Sequence, residues 1–206
     1  MDNLADKSEN FYHIMGTMID YHRDPTGALQ NRRICGTYTD LNSAKAAASH
    51  ALLDQGYEEA WFTNFDVKTR QQDWAHGDGT IVYARAPAGE VFTVTIQTAP
   101  NSFAFAGDAE NKVTGELYHV LQTTIHYDKD RSGAVQDAEI LGSFETYPAA
   151  KQMALTCLLD EDVTKESFAE YDENVGQDDW PFDSDVMVHA VGETGENVVI
   201  AVVEQA

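Results

Sequence analysis

The sequence predicts an α+β protein made of two tandem ββαββ repeats, each an antiparallel sheet with one helix, the pair related by pseudo-twofold symmetry. Three observations predict it. The chain matches itself without a gap when slid by 106 residues, so that Tyr12 falls on Tyr118. Each copy holds alternating β-rich runs separated by turns that contain Gly. Each copy also holds one apolar stripe at helical spacing.

The self-match is distributed along the whole repeat, which separates duplication from a shared motif. Tyr12-His13 falls on Tyr118-His119, and Asp24 and Gly27 fall on Asp130 and Gly133. Ala44-Lys45 falls on Ala150-Lys151, Leu52-Leu53-Asp54 on Leu158-Leu159-Asp160, and Asp73-Trp74 on Asp179-Trp180. Two copies are too few for a solenoid. The chain divides into a polar lead-in (1–10), a first repeat (11–97), a linker rich in small and turn residues (98–116) and a second repeat (117–206).

The first element is a strand over Tyr12–Tyr21. His13, Met15, Thr17, Ile19 and Tyr21 share one face, as do His119, Leu121, Thr123, Ile125 and Tyr127 in the second copy, and this face is expected to be covered. Turns follow at Asp24-Pro25-Thr26-Gly27 and Asp130-Arg131-Ser132-Gly133, where Asp and Gly tolerate the required dihedrals. A second strand leads to Gly36-Thr37-Tyr38 and Gly142-Ser143-Phe144. Asp40 and Thr146 can each cap a helix. That helix carries Leu41, Ala44, Ala48 and Leu52 in one copy and Tyr147, Ala150, Ala154 and Leu158 in the other, about four turns in each. Pro148 fits because it falls in the first turn. A long polar and aromatic stretch comes next, with Phe62, Phe65 and Trp74 matched by Phe168, Tyr171 and Trp180. A hairpin closes each repeat, giving four strands per sheet.

Composition bounds the function. The chain has 206 residues, 43% of them hydrophobic and 10% aromatic, with a formal net charge of −22. The apolar content suffices for a core and excludes simple disorder. No apolar run approaches the ~20 residues of a membrane span. The acidity argues against nucleic acid, whose phosphates need Lys and Arg, and against anionic membranes. It leaves a basic protein or a small molecule as partner, and it equally serves solubility or salt adaptation. The start, MDNLADKSENFYHIM, has no secretory pattern. Cys35 and Cys157 read as two buried free thiols. The expected location is cytoplasmic and the expected state a monomer or homodimer.

Four sets of residues are candidates for chemistry. Asp128 to Glu139 fits the calcium-loop pattern D-x-D-x-S-G-x5-E, with Asp128, Asp130, Ser132 and Glu139 as ligands and Gly133 at the sharp turn. The flanking TTIHY and EILGSF read as strands, where an EF-hand needs helices. The plainer reading is a hairpin turn. The matched His13 and His119 are candidates for an acid-base or metal pair brought together by the twofold axis. The plainer reading is a hydrogen-bonded histidine near a strand end. Trp74 and Trp180, in long loops, can line a ligand pocket with Tyr12 and Tyr118 or plug their own cores. Asp160 to Asp185, with Lys165 as its one basic residue, can dock a basic partner or stand as a solvated face. His76 and Asp78 offer too few ligands for a metal site. There is no phosphate loop, no G-x-S-x-G turn and no zinc-spaced Cys pair.

The function expected from these observations is a soluble, acidic, non-enzymatic binding or interaction protein. One alternative is an isomerase, cyclase or lyase with a pocket between the repeats and His13 and His119 as its acid-base groups. The other is a calcium-dependent binding protein. Calcium is the only cofactor with any pattern in its favour.

Overall fold

The computed structural model describes residues 8–69 and 73–205. Residues 1–7 of the lead-in, 70–72 of the long polar stretch and 206 lie outside the described residues. The chain forms two compact units, Met1–Gly115 and Glu116–Gln205. Unit 1 holds β1 (Asn10–Ile19), β2 (Gln30–Tyr38), α1 (Leu41–Asp54), β3 (Asn64–Val67), β4 (Thr80–Arg85) and β5 (Val91–Pro100). Unit 2 holds β6 (Tyr118–Ile125), β7 (Gln136–Phe144), α2 (Tyr147–Thr156), β8 (Glu170–Glu173), β9 (Val186–Val191) and β10 (Asn197–Glu204). The sheets run β2-β1-β5-β4-β3 and β7-β6-β10-β9-β8, and their neighbouring strands are antiparallel. The protein is therefore α+β with two similar halves.

Each sheet has five strands where the sequence suggested four. The fifth is a four-residue edge strand inside the long polar stretch, β3 in unit 1 and β8 in unit 2. Phe65 and Val67 of β3 pack against the unit 1 core, and Tyr171 of β8 packs against that of unit 2. One or two apolar side chains suffice to dock so short a strand, but they are too few to read as an alternating pattern.

The first turns form as their residues require. Asp24 accepts from the Thr26 amide and hydroxyl and from the Leu29 amide, and Gly27 takes φ 83°. In unit 2 Asp130 accepts from the Ser132 amide and hydroxyl, and Gly133 takes φ 80°. A bulge follows in the second strand of each unit, at Cys35 and at Leu141, between the pairs Ile14↔Gly36 and Met15↔Ile34 and between Val120↔Gly142 and Leu121↔Ile140. Both bulged residues turn their side chains toward the helix-side core.

The helices differ. Asp40 caps α1 by accepting from the Ser43 amide at 2.8 Å. Thr146 makes no such side-chain bond, although Pro148 stands in the first turn of α2 as the sequence suggests. Helix α1 has 14 residues and α2 only 10. The Thr156 hydroxyl bonds back to the Gln152 carbonyl at 3.0 Å, competing with the helical ladder, and Leu158 falls beyond the helix end.

Ala48, Ala51 and Leu52 of α1 pack on Ile14, Val82, Ala84 and Val94, and Ala150 and Ala154 of α2 pack on Val120, Val188, Ala190 and Ile200. Small helix residues let each helix lie close to its sheet. The helix thus covers the Ile14 face of β1, the side opposite His13. The His13 face is covered as well at one end, where Phe11, His13 and Met15 are buried. It opens along the strand, with Thr17 and Ile19 half-buried and Tyr21 exposed.

Residues 98–115 fold onto unit 1 rather than stretching away from it. The Val113 amide bonds to the Thr37 carbonyl, Tyr38 bridges to Lys112, and Phe105 stacks on Phe11 at 5.7 Å. Among the described residues no helix is long and apolar enough to cross a membrane.

Candidate functional site

Two adjoining hollows of about 220 and 280 Å³ open beside the C-terminal half of α1, and both are lined by Arg33 and Gln55. The bulge at Cys35 and the absence of a side chain at Gly16 make them. Arg33 pairs with Gly16, and a Cβ at Gly16 would meet Cys35 Sγ at 3.2 Å and Arg33 Cγ at 3.5 Å. Gln55, just past α1, fixes both neighbours. Its Oε1 accepts from Arg33 Nη1 at 3.1 Å, and its Nε2 reaches Cys35 Sγ at 3.2 Å. Burial raises the Cys35 thiol above its usual range, so it stays protonated and neutral at physiological pH.

The smaller hollow is walled by Met18, Leu52, Tyr57 and Phe92, and the larger is bordered by Tyr38 and Lys112. Trp61, 47% exposed, stacks on Tyr57 at 5.6 Å and so reports on this wall. Among the described residues no carboxylate forms an ion pair with Arg33 or Lys112. The site therefore offers an exposed guanidinium hydrogen-bonded to Gln55, an ammonium and an aromatic wall, with the Asp54 carboxylate lining the larger hollow. In the smaller hollow, where the guanidinium meets the aromatic wall and no carboxylate is part of the lining, the combination suits an organic anion.

His13 and His119 occupy equivalent places in the two sheets, and both are 0% exposed. His13 Nδ1 bonds to Thr37 Oγ1 at 2.9 Å, and His119 Nδ1 to Ser143 Oγ at 2.8 Å. Burial pushes the His119 imidazole down to about 4, against a smaller upward pull from Gln205. It is neutral at pH 7. These bonds are those of the plainer reading of a strand histidine.

Tyr12 and Tyr118 precede these histidines and so face the helix side. Tyr118 meets Tyr147 of α2 edge-on at 5.9 Å. Trp74 and Trp180 lie elsewhere, at the far edge of each sheet and on the opposite face. The structure does not bring Tyr12 to Trp74 or Tyr118 to Trp180. Neither indole enters its unit's core. Trp74 Nε1 donates to the Gly77 carbonyl at 2.8 Å, and Trp180 Nε1 to the Asp183 carbonyl at 3.3 Å. Each ring meets an aromatic stack. In unit 1 Trp74 sits edge-on to His76 at 4.9 Å, and His76 lies flat on Tyr83 at 3.9 Å. In unit 2 Trp180 meets Phe182 at 5.0 Å, and Phe182 stacks on His189 at 4.5 Å.

The calcium-pattern residues sit in and beside the β6–β7 hairpin, between two strands. Asp130 spends both oxygens on Ser132. Hydrogen bonding from Ser132 holds the Asp130 carboxyl below its usual range. Glu139 stands exposed on β7 opposite Gln122. His126 pairs with Asp137 at 2.7 Å and approaches Asp128 at 3.7 Å from its other ring nitrogen. Among the described residues, the carboxylate, imidazole and thiol groups gather closely enough for a metal ion at Glu170, Asp172 and His189 instead.

The acidic stretch carries β8, and its one base, Lys165, is paired with Glu173 at 2.5 Å. Cys35 and Cys157 are free and half-buried. Sequence reasoning missed the Arg33 site. Arg33, Gln55, Tyr57 and Phe92 are separated along the chain, and the only local signal was the concentration of Arg in the first repeat. Comparison of the chain with protein-family models, curated proteins and solved structures finds no match in any of the three.

Proposed function

We propose that the protein is a non-enzymatic binding protein whose unit 1 takes a small organic anion with an apolar or aromatic body. The observation that carries this reading is Arg33. Its guanidinium is hydrogen-bonded to Gln55 between two hollows and, among the described residues, ion-paired with no carboxylate, in a chain of net charge −22. Such a group is available for a bidentate bond to a ligand carboxylate or phosphate. Met18, Leu52, Tyr57 and Phe92 supply the apolar contact. Binding is favoured over catalysis by His13 and His119, whose rings have no exposed surface with which to touch a substrate.

The test is a panel of aromatic and aliphatic carboxylates and phosphates, with matched neutral amides, scored by thermal shift and Trp fluorescence on the full chain. Anions with an aromatic body should raise Tm and change the Trp61 signal. Arg33→Met should weaken them about ten- to a hundredfold, the worth of a charged hydrogen bond. Amides that bind as well as their acids, or an Arg33→Met variant that binds unchanged, would sink the reading.

A further inference from the structure

We propose that the edge hairpin of unit 2 holds a divalent transition-metal ion through His189 Nδ1 and the carboxylates of Glu170 and Asp172. The site is independent of the anion site in unit 1.

The register builds it. Asp172 of β8 lies directly opposite His189 of β9, and Glu170 is two residues before Asp172 on the same face. One ligand atom from each residue lies within 4.8 Å of the others. The imidazole is already oriented. It is 9% exposed, stacked on Phe182, and its Nε2 lies 3.4 Å from Asn197 Nδ2, which leaves Nδ1 toward the carboxylates.

His189 and Asp172 form a long ion pair, and its spacing also fits two ligands of one metal ion. His189 Nδ1 and Asp172 Oδ2 are 3.4 Å apart. Elsewhere in the molecule an imidazole that closes on a carboxylate does so at 2.8 Å (His76–Asp66) or 2.7 Å (His126–Asp137). Two atoms that each bind one tetrahedral zinc ion at about 2.0–2.1 Å stand about 3.3–3.4 Å apart.

The duplicated unit supplies the contrast. At the place of Glu170 unit 1 has Asn64, whose amide donates to Asp66 at 3.1 Å. Asp66 also receives His76, so its charge is answered by donors. Unit 2 replaces the amide with a second carboxylate, and the nearby Lys165 is taken by Glu173. Two adjacent carboxylates beside an imidazole nitrogen favour a dication.

One imidazole nitrogen and two carboxylate oxygens suit Zn²⁺, Co²⁺ or Mn²⁺, with water in the remaining positions. Calcium takes six to eight oxygens, more than this edge offers. Ligation through Nδ1 puts the ring proton on Nε2. The Asn197 amide, turned to present Oδ1, then accepts that N–H and fixes the tautomer.

The experiment uses the full chain without an affinity tag, stripped with chelator and titrated calorimetrically with Zn²⁺, and with Co²⁺ read by its visible absorption. One equivalent should bind. His189→Gln, Asp172→Asn and Glu170→Gln should each weaken it at least tenfold. Glu170 is exposed, so its variant keeps the fold testable, and circular dichroism checks this. Asn197→Leu should cost about tenfold as an outer-shell partner. His76→Gln in unit 1 should change nothing. Absence of binding would overturn the proposal. So would undiminished binding in Glu170→Gln and His189→Gln, loss of binding in His76→Gln, or tighter binding of Ca²⁺ or Mg²⁺ than of Zn²⁺.

Discussion

The two units share a backbone plan and differ in what their edges offer. Both keep the Asp-closed first turn, the bulge in the second strand and a buried histidine bonded to a hydroxyl across the first strand pair. These features serve the fold. Around the unit 1 hollows the equivalents diverge. Arg33 faces the place of Glu139 in the other copy, Gly16 that of Gln122, Gln55 that of Glu161, Tyr57 that of Val163 and Phe92 that of Val198. Charge is reversed, the glycine gap gains a side chain and the aromatic wall is gone. At the far edge the imidazole and its stacking partner exchange positions. His76 and Tyr83 in unit 1 answer to Phe182 and His189 in unit 2. Each imidazole pairs with the edge-strand carboxylate, with Asp66 at 2.8 Å in unit 1 and with Asp172 at the longer 3.4 Å in unit 2. Duplication here preserved the elements that set backbone geometry and released the side chains at the rims. That is where two copies of one fold can acquire different ligands.

The two units differ most in energy at their cores. Leu52 is buried in the last turn of α1, whereas its counterpart Leu158 is half-buried past the end of α2. Leu52→Ala should destabilise unit 1 by about 3 kcal/mol, and Leu158→Ala should cost unit 2 about half as much. Urea unfolding followed by circular dichroism measures both. Equal costs would mean that the shorter helix carries no energetic difference.

The next effect is electrostatic and belongs to unit 2. The unfolded chain holds its histidines near pKa 6.5, while burial holds folded His119 at about 4. Between those values the unfolded state takes up a proton that the folded state refuses. The depressed imidazole therefore costs nothing above about pH 7 and removes up to about 3 kcal/mol as the pH falls to 4. His119→Asn keeps a polar partner for Ser143 and should flatten this part of the stability–pH curve. Curves that run parallel for variant and wild type would show that His119 has no share in the acid loss.

The smallest contrast is at the helix caps. Asp40→Ala removes a bond to the Ser43 amide and should lower the unit 1 melting temperature by a few degrees. Thr146→Ala removes no cap bond and should leave unit 2 unchanged. The bond to the Ser43 amide also holds the Asp40 carboxyl below its usual range. The cap's contribution is therefore complete above that range and fades as acid protonates the carboxylate. A drop in unit 2 on Thr146→Ala would show that position, rather than the hydrogen bond, carries the capping effect.

Local order alone determined much of the protein. The repeat of 106 residues, the Asp-Gly turns, the Asp40 cap, the alanine stripe and the closing hairpins depend on neighbours within a turn or a strand, and the sequence states them directly. The edge strands β3 and β8 were not legible, because four residues with one or two apolar side chains make no period. The helix side of the sheet was not legible either. Both faces of β1 carry apolar residues, and only packing chose Ile14 over His13 for α1. The rim sites depended entirely on tertiary structure. Glu170, Asp172 and His189 meet because strand register sets them opposite one another. Arg33 reaches Gln55 and lines one hollow with Tyr57 and Phe92 because a bulge and a glycine open space between strand and helix. Sequence determines short-range backbone preferences. The meeting of distant side chains was decided by packing, through which residues the pleat, the bulge and the helix leave facing one another.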